Sequence, residues 1–379
     1  MKIQIVNKEI ILCSTHEITI RKFLLPILEE YNRNNLKLLI ICKDVENLYN
    51  FICLKKNINL DNIQFKNINF PNKILEIINP YNILKILFDL RKILHQKDKK
   101  YYIHCNTPIA SHLIRFSNIG LNNYVLYHVH GFRFHKKGNF LRNIFNYNIE
   151  KFLSFFTSSY ITINQEDTEI VKNNFKKKFL KINGVGVNFS KLSKIKKNAP
   201  QNKKYIIGFI GAYKKEKGYL ELFKIAKLCK NLNIIFKCYG YGNKTKFLKK
   251  LKKNNLRNVE LNNFTEKIYE EMSKFDLFLC CSKREGLNVS ILEAMAMNIP
   301  VISSRIRGTE DIIKNNKFGH LYENNKINEV CRLINNYFDN TELFNFKASL
   351  ALNEVKNNYN SNKIAKYVKD NLIKIINET

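Results

Sequence analysis

Apolar residues occur in short runs that alternate with stretches of helical spacing, a pattern that predicts a parallel α/β fold. The clearest instance is DLFLCCSKREGLNVSILEAMAMNIPVISS at 276–304. Its first apolar run, 277–281, is short enough for a buried strand, and a polar turn follows at 282–286. Apolar residues then recur with helical spacing until Asn298 and Pro300, after which a second apolar run begins. The stretch therefore predicts a strand, a turn, a helix and a second strand of one parallel sheet.

The same alternation recurs along the rest of the chain. It predicts a strand at 9–14, helices at 18–31 and 80–96, a strand at 36–42, and a strand, a glycine turn and a helix that begin at Tyr205. Residues 43–75 carry no clear pattern. A polar, lysine-rich stretch at 190–204 has the composition of a linker. The predicted organisation is an N-terminal domain at 1–189, a linker at 190–204, a C-terminal domain at 205–355 and a final helical segment at 356–379.

Two carboxylates mark the 276–304 unit as a candidate ligand site. Glu285 falls in the turn and Glu293 in the helix, at the sheet edge where open α/β sheets bind ligands. The helix N-terminus suits a phosphate, Gly286 allows a close backbone approach, and carboxylates accept hydrogen bonds from sugar hydroxyls. For an isolated pair at this spacing, an exposed turn residue and a solvated helix residue would be the simpler interpretation.

The chain is long and strongly basic. Its 379 residues can form two domains with substantial cores. Lys and Arg number 64 against 32 Asp and Glu, which gives a net charge of +32 spread along the chain. The excess of lysine has two explanations. It reflects a compositional bias of the chain, or it gives a surface that attracts anionic lipid, phosphate-bearing substrates or nucleic acid.

The cysteines and the termini bear on the compartment. The nine cysteines include no C-x-x-C pair and fall mostly in apolar runs, which indicates buried thiols in a reducing cytosol. The first residues lack the shape of a signal peptide, and no apolar run approaches the ~20 residues of a membrane span. We therefore expect a protein that is cytoplasmic or peripheral at the membrane.

The turn after the first strand argues against a dehydrogenase. It lacks the glycines of the dinucleotide fingerprint and carries His16 and Glu17 instead. His16 is either a site residue or part of an exposed loop. The stretch NYVLYHVHGFRFHKKGNF at 123–140 predicts a strand that runs into a turn, and His128 and His130 alternate along the strand, so they share one face. A metal would need a third ligand, and none is near in sequence, so neither a metal nor a cofactor is expected.

These segments together resemble a known enzyme family. The 276–304 stretch is similar to the donor site of retaining glycosyltransferases of family four, which have the GT-B fold. HVHGFRFHKKG, NIEKFLSFFTSSYITINQEDTEIVK and KINGVGVNFSKL resemble, in that order, the subfamily that builds capsular, exopolysaccharide and lipopolysaccharide chains. The resemblance implies two Rossmann-like domains with parallel sheets facing a central cleft, and a terminal helix that crosses back to the first domain.

The resemblance also implies roles for individual residues. Glu285 and His130 would contact the donor sugar as the catalytic pair, and Glu293 would contact the ribose. The remaining donor-binding residues would be Gly211, Lys217, Gly240, Phe264, Thr265, Gly286, Leu287, Asn288 and Val289. The acceptor-side residues would be His16, Thr107, Arg133, Lys136 and Lys137.

One position departs from the family pattern. The family has Arg directly after the glycine that corresponds to Gly211, whereas this chain has Ala212. Lys217 can meet a diphosphate as a point charge, and Lys214 or Lys215 could replace the missing Arg. Alternatively, these lysines are solvated charges on a helix face.

The predicted function is transfer of a sugar from a nucleotide diphospho-sugar, UDP-linked, to a saccharide acceptor with retention of configuration. The acceptor would be lipid-linked at the inner face of the cytoplasmic membrane, whose anionic surface the basic chain would bind. A GT-B nucleotide-sugar epimerase or hydrolase is the alternative. A nucleic-acid-binding protein is a more remote one, because the lysines form no basic stripe with interleaved aromatic residues.

Overall fold

A computed structural model of the chain describes residues 9–71, 79–97, 99–136, 138–192, 195, 204–229 and 233–378. The chain forms two compact units, one of Met1–Val185 with Ser361–Thr379 and one of Gly186–Asn360. Most of the predicted linker at 190–204 lies outside the described residues, and its start belongs to a short helix, Phe189–Leu192.

The first unit is built on a seven-stranded parallel sheet with the order β3-β2-β1-β4-β5-β6-β7. Its strands are β1 (Glu9–His16), β2 (Lys37–Lys43), β3 (Ile63–Asn67), β4 (Tyr101–Asn106), β5 (Tyr124–Val129), β6 (Ser159–Thr162) and β7 (Lys178–Lys181). Its described helices of nine residues or more are α1 (Leu25–Arg33), α2 (Val45–Cys53), α3 (Pro80–Leu94), α4 (Pro108–Ser117), α5 (Phe140–Ser154) and, at the end of the chain, α11 (Ser361–Glu378).

Shorter helical segments also occur among the described residues of the first unit, and one of them is Leu60–Asn62. Glu17–Thr19 and the wider turns of Ile20–Leu24 lead into α1, and Gln165–Glu169 leads into similar turns at Ile170–Phe175. The final helix, α11, packs against α1 within this unit. Residues 43–75, which show no clear pattern in the sequence, contain α2 and β3.

The second unit has a six-stranded parallel sheet with the order β10-β9-β8-β11-β12-β13. Its strands are β8 (Tyr205–Ile210), β9 (Ile234–Gly240), β10 (Val259–Asn263), β11 (Leu277–Cys280), β12 (Val301–Ser304) and β13 (His320–Tyr322). Its described helices of eight residues or more are α6 (Tyr219–Leu228), α7 (Thr245–Lys253), α8 (Val289–Ala296), α9 (Ile327–Asp339) and α10 (Thr341–Asn358). Shorter described ones are Phe189–Leu192, Lys215–Lys217, Ile268–Met272 and Thr309–Ile313.

Alternation along β8 shows why this sheet is covered on both faces. Ile207 and Phe209 pack into a core cluster with α6, whereas Ile206 packs into the opposite cluster with α8. Parallel strands that are buried on both faces have nearly continuous apolar sequences, and the strands of this sheet follow that pattern. Because all six strands pair parallel, their carboxyl ends and the turns that follow them lie along one edge.

The strand–helix–strand unit predicted at 276–304 is confirmed as β11, α8 and β12. The prediction of two Rossmann-like α/β units is likewise confirmed by the two parallel sheets. Among the described residues, no helix combines the length and the apolar character needed to cross a bilayer.

Candidate donor site

The turn after β8 and the turn after β11 are held together at the carboxyl edge of the second sheet. Gly218 has φ +82°, and a Cβ built on it would lie 1.8 Å from the carbonyl oxygen of Cys281. The backbone N–H of Lys283 donates to the carbonyl oxygen of Glu216 at 2.8 Å. Only a residue without a side chain allows this approach, so Gly218 determines where the preceding Lys217 lies.

We expect Gly218→Ala to be strongly destabilising. The added methyl group would clash with backbone as well as strain φ, and overpacking together with strain costs roughly 3 kcal/mol or more. Gly120→Ala is the matched control, since Gly120 has φ +75° and no atom within 4 Å of the built Cβ. Urea denaturation of both variants measures the difference. Equal losses of stability in the two variants would show that the contact with Cys281 is unimportant.

Lys217 and Glu285 form the central ion pair of this edge. Lys217 Nζ lies 2.6 Å from Glu285 Oε1, and the two side chains are 29% and 11% exposed. Burial on its own lowers the pKa of Lys217, but the adjacent Glu285 carboxylate outweighs it, and the net pKa is raised. A cation is therefore held at the end of the turn, beside the N-terminus of α8.

Asn288 organises the N-terminus of α8. Its Oδ1 accepts a hydrogen bond from the backbone N–H of Ile291 at 3.2 Å, which caps the helix. Its Nδ2 donates to Glu285 Oε1 at 3.2 Å and to Cys280 Sγ at 3.3 Å. Asn288 was predicted to bind the donor, and here it orients the carboxylate; its neighbours Leu287 and Val289 are half-buried.

Two residues that sequence reasoning did not single out complete the turn. Arg307 Nε donates to the backbone oxygen of Glu285 at 3.3 Å. A Cβ on Gly308, which has φ +82°, would lie 2.3 Å from the carbonyl oxygen of Gly286. The R-G dipeptide after β12 was the available signal, because a glycine beside a strand end often marks a close backbone approach.

Gly211 and Gly240 lie side by side where β8 and β9 end. The N–H of Gly211 donates to the carbonyl oxygen of Tyr239 at 3.0 Å, and its own carbonyl oxygen accepts from Tyr219 Oη at 2.6 Å. Ala212, which stands where the family has Arg, is buried, whereas Lys214 and Lys215 are exposed. Of the cations considered for this turn, Lys217 is thus the one that contacts Glu285.

Glu293 occupies a different environment from Glu285. Tyr269 donates its hydroxyl hydrogen to Glu293 Oε1 at 2.8 Å. Burial raises the pKa of Glu293 to about 7, against smaller opposing effects of Tyr269 and Lys191. The two carboxylates of the predicted site are therefore held by separate partners, and Tyr269 was missed because it lies 24 residues away in sequence.

The residues predicted for the nucleotide base follow β10. Phe264 is 49% exposed, and Thr265 Oγ1 accepts a hydrogen bond from the backbone N–H of Lys267 at 3.1 Å. An exposed aromatic ring at the carboxyl edge of a sheet offers a stacking surface.

In the first unit, the adjacent strands β1, β4 and β5 bring to one edge His130, predicted to contact the donor sugar, and the predicted acceptor-side residues His16 and Thr107. His130 Nε2 lies 3.0 Å from Asn106 Oδ1, and burial lowers the pKa of His130 to about 4. The ring is therefore neutral at pH 7, and its Nε2–H can donate to Asn106. The ring also stacks on buried His128, with ring centroids 4.2 Å apart.

His16 and Thr107 lie at the ends of β1 and β4. His16 Nδ1 is 3.6 Å from Asp44 Oδ2, and the hydroxyl groups of Thr15 and Thr107 are 2.7 Å apart. Thr107 has φ +63° and ψ 140°, a conformation that costs free energy in any residue with a Cβ. Such strain is concentrated at functional sites, so this observation supports Thr107 as a site residue.

The predicted cationic loop lies just before α5. Arg133 and Lys136 are exposed, and the backbone N–H of Lys136 donates to Glu166 Oε1 at 3.1 Å. Lys137 lies outside the described residues. Within the described part of the chain, no group of three His, Cys, Asp or Glu side chains could hold a metal ion.

Comparison with known proteins shows which enzymes this chain is similar to. Residues 190–350 match the family described as glycosyl transferases group 1. The chain is 28% identical over 283 residues to the glycosyltransferase EpsD of Bacillus subtilis, covering 70% of this chain and 74% of that protein. It is 25% identical over 312 residues to the Escherichia coli UDP-Gal:alpha-D-GlcNAc-diphosphoundecaprenol alpha-1,3-galactosyltransferase, covering 77% and 80% of the two chains.

A solved structure supports the fold. Anabaena HepE in complex with UDP and glucose superposes with a TM-score of 0.74 at 16% identity, covering 97% of this chain and 100% of that one. The residues matched to group 1 include the Lys217–Glu285 pair and α8. The chain is therefore a glycosyltransferase with the GT-B fold, and its residues 190–350 match the group 1 family.

Proposed function

We propose that the enzyme transfers a hexose or N-acetylhexosamine from a UDP-sugar to a lipid-linked saccharide in surface polysaccharide synthesis, with retention of configuration. The observation that carries the proposal is the Lys217–Glu285 pair at the N-terminus of α8. The ammonium group of Lys217 and the N-terminus of α8 can bind a diphosphate. The adjacent Glu285 carboxylate can accept hydrogen bonds from sugar hydroxyls. The UDP and glucose bound by HepE and the UDP-Gal named for the galactosyltransferase support the choice of donor.

The chemistry follows from where charge develops. When the bond at the anomeric carbon breaks, negative charge grows on the leaving diphosphate. Lys217 and the partial positive charge at the N-terminus of α8 stabilise that charge, and no metal ion is needed. Glu285 accepts hydrogen bonds from the donor sugar and Glu293 from the ribose. The role of His130 toward the donor sugar, which the resemblance implies, stays a prediction.

The acceptor and the location are also part of the proposal. The diphosphoundecaprenol named for the E. coli relative is a lipid carrier, and a lipid-linked acceptor requires an enzyme that works at a membrane surface. The net charge of +32 suits the anionic inner face of the cytoplasmic membrane, where each nearby basic residue contributes about 1 kcal/mol.

A panel of UDP-sugars, assayed with and without lipid-linked saccharides and in the presence of EDTA, tests the proposal. We expect one sugar to be transferred to the lipid fraction, with activity unchanged by EDTA. Release of free sugar at the same rate without an acceptor would indicate a hydrolase, and an altered UDP-sugar would indicate an epimerase. Loss of activity in EDTA that Mg²⁺ or Mn²⁺ restores would contradict the role given to Lys217.

UDP affinity should rise with pH through about 7. The carboxyl of Glu293 has a pKa raised to about 7, so it is protonated below that pH and loses hydrogen-bond acceptor capacity toward the ribose. Titration calorimetry with UDP between pH 5.5 and 8.5 measures how the affinity changes with pH.

The variant Glu293→Gln should bind UDP about tenfold more weakly than the wild type at pH 8. Its remaining pH dependence should come only from the terminal phosphate of UDP, whose pKa is near 6. Identical pH profiles in the two proteins would rule out the ribose contact.

A further inference from the structure

Helix α5, in the first unit, exposes its apolar side. Leu141, Phe145 and Phe152 follow one another at spacings of four and seven residues and are 75%, 66% and 49% exposed. At 3.6 residues per turn these three side chains form one stripe. Ile144, also exposed, lies beside them. A surface helix of a globular protein normally turns its apolar side toward the core, so an exposed apolar stripe of this size is unusual.

The opposite side of α5 anchors it in the unit. Leu153 is fully buried, and the buried Glu150 carboxylate binds Arg115 Nη2 at 2.9 Å and His112 Nε2 at 2.8 Å. Glu150 is the helix's one acidic residue, and it faces inward. Arg142 and Lys151 are exposed and fall on opposite flanks of the apolar stripe, at roughly 100° per residue.

The neighbouring helix α4 extends the stripe into a patch. Phe116 is 45% exposed, and its ring centroid lies 5.9 Å from that of Phe152. A shallow depression of about 520 Å³ lies among these apolar side chains. We call the set Phe116, Leu141, Ile144, Phe145 and Phe152 the outer aromatic face.

We propose that the outer aromatic face inserts into a bilayer that contains anionic lipid. This inference rests on the proposed membrane location and names the surface responsible for it. An apolar stripe flanked by cations, with its single carboxylate turned inward, has the charge and apolar distribution of an interfacial helix. The exposed cations Arg133 and Lys136 precede the helix and add to the positive edge.

The outer aromatic face would account for the part of membrane binding that does not depend on charge. An interfacial helix buries its apolar side about 5–10 Å into the boundary between head groups and acyl chains, while Arg and Lys extend their charged ends to the head groups. The Coulombic part of the binding falls with salt, whereas the part from buried Leu and Phe persists. We therefore expect vesicle binding that decreases with NaCl to a residual level set by this face.

The chain contains no tryptophan, so the tryptophan fluorescence of a variant with one introduced tryptophan comes from that position alone. Phe145→Trp should show blue-shifted emission and quenching by brominated lipid when the protein meets vesicles of phosphatidylglycerol and phosphatidylcholine. Phe346→Trp is the matched control, because Phe346 is a 60% exposed residue on α10 in the second unit. A shift in both variants, or in neither while the protein still sediments with vesicles, would overturn the proposal. A shift without vesicles that grows with protein concentration would overturn it too, by identifying the face as a protein interface.

Substitution of the stripe gives the second test. The triple variant Leu141→Ser, Phe145→Ser and Phe152→Ser should bind such vesicles about a hundredfold more weakly in 0.5 M NaCl. A control variant with Leu54→Ser and Phe346→Ser, which removes exposed apolar residues elsewhere, should bind like the wild type. Unchanged binding of the triple variant would contradict the proposal.

UDP binding without vesicles separates this inference from the proposed function. Calorimetry should give the same UDP affinity for the triple variant and the wild type, because α5 and the Lys217–Glu285 pair belong to different units. Normal UDP binding without insertion would reject the face and leave sugar transfer standing. Insertion without UDP binding would reject the donor site and leave the membrane face standing.

Discussion

Glu285→Gln is expected to lower turnover by roughly 10²–10³-fold, the range found when one well-aimed group that stabilises a transition state is removed. The carboxylate is 11% exposed and is held in place by Lys217 Nζ at 2.6 Å and Asn288 Nδ2 at 3.2 Å. A rigidly positioned acceptor of this kind contributes most when the sugar is distorted toward the transition state. Steady-state kinetics with the UDP-sugar identified by the panel gives the measurement.

The affinity for UDP distinguishes this role from a structural one. UDP carries no sugar, so Glu285→Gln should change its dissociation constant by no more than about threefold. Glu293→Gln should show the opposite pattern, with weakened UDP binding. Glu216→Gln supplies a matched control, since this exposed carboxylate lies in the turn next to Lys217. A parallel loss of UDP affinity and turnover in Glu285→Gln would show that the residue holds the nucleotide or the fold instead of the sugar.

Local signals in the sequence were sufficient for the elements around Glu285. The apolar run of β11, the cap residue Asn288 and the stop at Asn298 and Pro300 all act within a few residues, so the strand–helix–strand unit could be predicted. The separate environments of Glu285 and Glu293 could not, because each depends on a partner from another element. The pairing of Lys217 with Glu285 spans 68 residues and depends on the close approach at Gly218.

The periodicity of apolar residues left two other features undetermined: the orientation of α5 and the secondary structure of residues 43–75. It identifies an apolar side of α5 but does not say whether that side meets a core or solvent, and the inward ion pair between Glu150 and Arg115 decides the orientation. Residues 43–75 contain a regular helix, α2, that begins after Asp44, a residue with φ +59°. Asp is a residue type that often caps a helix, but the Asp44 side chain makes no cap hydrogen bond, and no proline or glycine marks the start.

Lys217→Met tests the other half of the site and should lower kcat/KM by roughly 10²–10³-fold and UDP affinity by about tenfold. Methionine keeps a long unbranched side chain but removes the charge that, in the proposed function, stabilises the leaving diphosphate. The matched control is Lys215→Met, because Lys215 is exposed two residues earlier in the same short helix. Both variants lose one positive charge, so a general change in the protein's field would affect them equally. Of these two lysines, Lys217 is the one that forms an ion pair with Glu285.

The double variant Lys217→Met with Glu285→Gln decides what the ion pair is for. A purely structural salt bridge would make Lys217→Met destabilising, because it leaves the Glu285 carboxylate half-buried without its cation, and the second substitution would then restore stability. A catalytic pair behaves differently, since each group acts on another part of the donor: the ammonium on the diphosphate and the carboxylate on the sugar. We therefore expect kcat/KM of the double variant to stay at or below that of the poorer single variant, whatever happens to stability. Recovery of activity together with stability would show that the pair only maintains the fold.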